Sequence, residues 1–82
     1  MPGERIGAVA ILVENSESVR ELNSILSEHR EIVVGRIGVP YRKRNVAVIA
    51  LIIDGSTDEI GAMTGKLGRL PGVRVKTSLL TK

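Results

Sequence analysis

Val46-Ala47-Val48-Ile49-Ala50-Leu51-Ile52-Ile53-Asp54-Gly55-Ser56-Thr57-Asp58-Glu59 decides how this chain folds. Val46 to Ile53 is an unbroken apolar run rich in branched side chains, which predicts a buried strand ended by Asp54-Gly55. Ser56-Thr57-Asp58-Glu59 matches a capping box, in which the serine oxygen accepts an orphan helix amide and the glutamate reaches back. Ile60, Met63, Leu67 and Leu70 then recur at helical spacing and predict a helix that buries one stripe. Forty residues earlier the same order is found: Ala10-Ile11-Leu12-Val13-Glu14 falls on Ala50-Leu51-Ile52-Ile53-Asp54, and Ser16 falls on Ser56. Ile6 to Val13 therefore reads as a strand. Asn15 or Ser16 reads as a cap, and Val19, Leu22, Ile25 and Leu26 as the apolar stripe of a first helix.

The segments between and after these units complete the pattern. Glu31 to Val39 reads as a strand stopped by Pro40, and Tyr41-Arg42-Lys43-Arg44-Asn45 as a polar turn. Pro71-Gly72 is a turn signal, and Val73 to Leu80 alternates, with Val73, Val75, Thr77 and Leu79 on one side and Arg74, Lys76 and Ser78 on the other. The order is βαββαβ. Two such units imply an α+β, ferredoxin-like sandwich: a four-stranded antiparallel sheet with both helices on one face and the first and third strands central. All of residues 1–82 fit in this one domain.

Helices cover only one face of such a sheet, so its other face should alternate polar with apolar. The two central strands do not alternate. Val46, Val48, Ala50 and Ile52 point one way and Ala47, Ile49, Leu51 and Ile53 the other, both sets apolar; Ile6 to Val13 behaves alike. An exposed patch on the order of several hundred Å² follows, at or beyond what monomers tolerate. The expectation is a homo-oligomer, a dimer or tetramer joined through the outer sheet face or the edges.

Composition removes many function classes. Hydrophobic residues are 43% and charged residues 26%, the balance of a globular fold, and the formal charge is +3. There is no Cys and a single His, which excludes iron–sulfur ligation, a thiol nucleophile and a His-rich metal site within one chain. Neither Trp nor Phe is present and Tyr41 is the one aromatic, so base-stacking platforms are missing. No apolar run is long enough to cross a bilayer, and Met1-Pro2-Gly3-Glu4-Arg5 does not read as a leader peptide. A small cytoplasmic domain with neither cofactor nor metal is expected, and the lack of a nucleophile–base pair argues against an enzyme.

Three segments resemble a known family. They are Val34-Gly35-Arg36-Ile37-Gly38-Val39-Pro40-Tyr41-Arg42, the run Ile49 to Ile53, and Thr57 to Lys76, within which Thr64-Gly65-Lys66-Leu67-Gly68 is the most specific. Together they resemble the iron-only hydrogenase system regulators, a family similar in fold to ACT domains and to the sensing domain of the nickel-responsive repressor. The resemblance implies a regulatory, ligand-sensing role, with transcription as its expected target. The repressor's DNA-binding ribbon-helix-helix and its His and Cys nickel ligands have no counterpart here. The Gly-bearing loop that ACT domains place after the first strand is replaced by Glu14-Asn15-Ser16-Glu17, whereas the second half carries Asp54-Gly55-Ser56.

Candidate ligand-binding residues are Arg36, Tyr41, Arg42, Arg44, Gly55, Ser56, Gly61 and Gly65. Arg42-Lys43-Arg44 is a basic turn that Arg36, Arg74 and Lys76 could extend, so nucleic-acid contact by this turn is the alternative function, and a protein-assembly role a further one. Thr64-Gly65-Lys66 lacks the leading glycine spacing of a phosphate loop and lies inside a helix. Gly61, Gly65 and Gly68 share a helix face at a cost of about 1 kcal/mol each against Ala, which close packing against a neighbouring element would explain. His29 is expected to cap the first helix as a cation. Glu14 and Asp54 each end a central strand; taken as parallel neighbours, those strands would bring both carboxylates to one end of the sheet, beside free helix amides.

Overall fold

The computed structural model describes residues 4–81; Met1-Pro2-Gly3, the start of the segment read above as no leader, lies outside them. The strands are β1 (Glu4–Val13), β2 (Val33–Tyr41), β3 (Val46–Ser56) and β4 (Val73–Leu79); the helices are α1 (Val19–Glu28) and α2 (Thr57–Gly68). Short 3₁₀ turns occupy Ser16–Ser18, Arg30–Ile32 and Arg42–Arg44. The sheet order is β2-β3-β1-β4 and every neighbouring pair is antiparallel. The expected ferredoxin-like sandwich is what forms.

One layer of side chains fills the space between sheet and helices. Val9, Ile11 and Val13 of β1, Ile49, Leu51 and Ile53 of β3 and Val73 of β4 are buried from the sheet side. Leu22, Ile25 and Leu26 of α1 and Ile60, Met63 and Leu67 of α2 meet them, with Leu70 just beyond α2. Both helical stripes are those that the spacing predicts, except that Val19 is exposed at the start of α1.

Strand limits differ from expectation for long-range reasons. β3 continues through Asp54-Gly55 to Ser56 because β1 starts at Glu4 and pairs with it, Glu4 opposite Ser56 and Arg5 opposite Gly55. The predicted start of β2 is instead a 3₁₀ turn that buries Ile32. β2 then runs through Pro40 to Tyr41, since an edge strand can turn a proline nitrogen away from the ladder. A bulge between Val33 and Gly35 leaves Val34 out of register and exposed.

The β1–α1 loop is clamped to the α2–β4 turn. Glu14 N donates to Gly72 O at 2.7 Å, and Ser18 Oγ donates to Pro71 O at 2.7 Å. Gly72 has φ 69°, and a Cβ there would lie 2.7 Å from Asn15 Cβ, so both conformation and space demand glycine. Asn15 is the cap that forms at this loop: its Oδ1 accepts from Glu17 N at 3.0 Å.

Candidate functional site

The antiparallel register lays the outer sheet face out in rungs. Val39, Val48, Leu12 and Arg74 form one, Ile37, Ala50, Ala10 and Lys76 the next, and Gly35, Ile52, Ala8 and Ser78 the third. From β2 to β1 each rung is apolar; only β4 supplies charge. Ile37, Val39, Val48 and Ile52 remain 39–63% exposed, a high value for branched aliphatic side chains. Small side chains at Ala8, Ala10 and Ala50 leave the middle of the face low, flanked by these larger ones.

The basic turn lies beside this face and does not act as one patch. Arg42 lines a groove on the helix side of the sheet end, with Glu14, Ser16, Val19 and Asn45. Arg44 and Tyr41 line a hollow on the outer side, with Leu12, Glu14, Val46 and Val48. Glu14 borders both, and its Oε1 lies 3.5 Å from Arg74 Nε. Asn45 closes the turn with φ 55°, the left-handed conformation that Asn tolerates. Arg36 does not extend the turn: it stands in the rung of buried Leu51, on the helix face, and its Nη2 donates to Asn23 Oδ1 at 3.1 Å.

Gly55 and Ser56 are at the far end of β3 from that turn and have local structural duties. A Cβ on Gly55 would lie 2.7 Å from Ile32 Cγ2. Ser56 caps α2, its Oγ accepting from Glu59 N at 3.1 Å while Ser56 N donates to Glu59 Oε1 at 3.0 Å. The Ser56 backbone amide, which donates to the charged carboxylate, and after it the Ser56 hydroxyl hold the Glu59 carboxyl below its ordinary value. The eight candidate residues thus fall at separate places: Tyr41 and Arg44 on the outer side of the turn, Arg42 on its helix side, Arg36 over α1, Gly55 and Ser56 at the opposite end, and Gly61 and Gly65 on α2.

Two sequence readings are corrected. Glu14 and Asp54 are not at one end: β1 and β3 are antiparallel, Asp54 stands opposite Ile6, and Glu14 follows Val13, which stands opposite Ala47. Gly61, Gly65 and Gly68 are not packed against a neighbouring element, for a Cβ at each would have no heavy atom within 4 Å. They border an open groove beside β4, with Val75 and Thr77 across from them. His29 is the C-terminal cap of α1, and its Nε2 lies 3.2 Å from Lys66 Nζ. Among the described residues no three His, Cys, Asp or Glu side chains gather as a metal site. No helix of the described residues is long and apolar enough to cross a membrane.

This arrangement matches a known family over residues 5–77, from β1 into β4, under the description "TM1266-like: Iron-only hydrogenase system regulator, putative". The chain belongs to the TM1266-like family. The uncharacterized protein TM1266 from Thermotoga maritima is 38% identical, with a TM-score of 0.90 over 95% of this chain and 99% of that one. The ACT domain of GTP pyrophosphokinase from Chlorobium tepidum aligns over 98% of this chain and 90% of its own, at 16% identity and a TM-score of 0.69. A formyltetrahydrofolate deformylase from Pseudomonas putida matches at 10% identity and a TM-score of 0.64; the match covers 89% of this chain but 28% of the enzyme. A comparison with curated proteins gave no match.

The two distant likenesses establish an ACT-like fold and nothing about chemistry. The TM1266-like family is described as one of regulators of an iron-only hydrogenase system, "putative" in that description. Two features of this TM1266-like chain escaped sequence reading: the tether from Asn23 to Arg36, and the placement of Arg30 in the same groove. Thirteen residues separate Asn23 from Arg36, and no local signal pairs them.

Proposed function

We propose that the protein is a non-catalytic, ligand-sensing regulator of an iron-only hydrogenase system that works as a homo-oligomer. The observation that carries this reading is the outer sheet face, three rungs deep and apolar across β2, β3 and β1. Covering it removes apolar surface from water at about 25 cal/mol per Å². A second copy is its natural cover, because a two-fold axis sets the same patch against itself and the low alanine centre lets the two sheets approach. The charged strand β4 forms a polar rim, as at the borders of protein interfaces. Membership of a regulator family and the ACT-like fold support the sensing role. An effector bound near such an interface would act by favouring one oligomeric arrangement over another.

Native mass spectrometry of the purified protein tests this. The expected result is a mass at two or four times the chain at micromolar concentration, with any retained effector seen as added mass. A bare monomer across that range overturns the oligomeric reading.

A further inference from the structure

The groove between α1 and β2 is lined by Asn23, Leu26, Ser27, Arg30, Val33 and Arg36. We infer that it binds a small molecule through an oxyanion, a carboxylate or phosphate group, held by Arg36 and Arg30. Every charged or polar side chain on its wall supplies donors: two guanidiniums, an amide and a hydroxyl. No carboxylate lines it. The groove between α1 and α2 differs in mixing Glu21 and Glu28 with Lys66 and Arg69, and the groove at the sheet end sets Glu14 beside Arg42.

Arg36 is mounted for this task. It projects from a hydrogen-bonded strand, and one N–H of its guanidinium is fixed on Asn23 Oδ1 at 3.1 Å. The amide oxygen must be the atom that accepts, so the Asn23 nitrogen remains a donor. The other guanidinium N–H groups stay free in a fork that matches the two oxygens of a carboxylate or phosphate. Holding the side chain beforehand lowers the ordering cost of binding. Arg30 reaches the groove from the 3₁₀ turn after α1. Among the described residues the ion pairs are Lys66 with Glu28 and Arg74 with Glu14, so neither Arg30 nor Arg36 has a carboxylate within 4 Å. Leu26 and Val33 give the groove an apolar floor for the carbon part of a ligand.

Calling the occupant an effector rests on the regulatory reading above; the oxyanion site itself does not. The test is titration of the ¹⁵N-labelled protein with inorganic phosphate and, separately, with succinate, at constant ionic strength set with chloride. Saturable shifts confined to Asn23, Ser27, Arg30 and Arg36 are expected for at least one of them, and which one identifies the oxyanion. R36Q and R30Q should each weaken binding by roughly tenfold to a hundredfold, the usual cost of losing hydrogen bonds to a charged group. K76Q removes equal charge from the other sheet face and should leave the affinity unchanged. N23A keeps the Arg36 charge and folds without losing core contacts, and it should weaken binding by less than R36Q. No saturable shift with either anion, or equal weakening by K76Q and R36Q, overturns the site. A monomer by native mass spectrometry would overturn the oligomeric regulator and leave the groove standing, so the two failures are distinct.

Discussion

Ser56 and Glu59 cap α2 reciprocally, each backbone amide donating to the other's side-chain oxygen, at 3.0 and 3.1 Å. This pair makes α2 sensitive to acid. Glu59 is held below its ordinary value of 4.5 because its charged form accepts from Ser56. A carboxyl depressed in the folded state contributes stability above its unfolded value, and that contribution disappears as pH falls through the folded one. Thermal melts from pH 7 down to pH 3 should therefore show a loss of stability that begins near the ordinary glutamate range. E59Q should flatten that part of the profile. An unchanged slope in E59Q would disprove the assignment.

Removing the other half of the cap is a separate test. Ser56→Ala leaves the Glu59 amide without its acceptor and should cost about 1 kcal/mol. In a domain of this size that lowers the melting temperature by about 4–8 °C.

Gly55 is fixed by Ile32. The 3₁₀ turn before β2 presses Ile32 onto the β3 backbone, where a Cβ at Gly55 would come within 2.7 Å of Ile32 Cγ2 and 3.1 Å of its Cβ. These atoms are next to the backbone of a β-branched, buried residue and cannot swing away. Gly55→Ala should destabilise by about 1–3 kcal/mol, the usual range for overpacking. A denaturant midpoint equal to wild type would contradict the contact.

Much of this fold was legible because its signals are local. The capping box at Ser56 and Glu59, the stripe through Ile60, Met63 and Leu67 and the forty-residue repeat each need only neighbouring residues or a self-comparison. What was missed depends on partners distant in sequence. The βαββαβ order already sets β1 antiparallel to β3; the register that puts Asp54 opposite Ile6 is what no signal within either strand announces. The 3₁₀ turn that displaces the start of β2 exists because Ile32 fills a core position under Gly55. The apolar outer face could be inferred, since two non-alternating central strands must expose one set. The candidate site was less legible: Arg36 could be named, but not its tether to Asn23.

Helical spacing put Gly61, Gly65 and Gly68 on one face, but spacing does not say what lies opposite. The space there is empty, so these glycines cost helix propensity without packing in return. Gly61→Ala and Gly65→Ala should each stabilise the isolated subunit by about 0.5–1 kcal/mol. Melting temperatures should rise by several degrees. A fall instead would mean that another chain or molecule occupies the groove beside β4.

The outer face gives the sharpest separation between folding and association. Ile52 is 48% exposed in the single chain and stands in the rung with Ala8. Ile52→Glu on an exposed face should leave the circular dichroism spectrum and the cooperative melt of the subunit in place. In a sheet-on-sheet dimer the same carboxylate would be buried among Ile37, Val48 and Ala50 with no cation to meet it. An unpaired buried charge costs several kcal/mol, and each 1.4 kcal/mol is tenfold in affinity, so association should weaken by about a hundredfold or more. Lys76→Glu, on the rim strand, should weaken it far less, because a rim charge stays hydrated. Sedimentation velocity across a concentration series separates these outcomes. If I52E and wild type sediment alike as oligomers, the subunits join through an edge and not through this face.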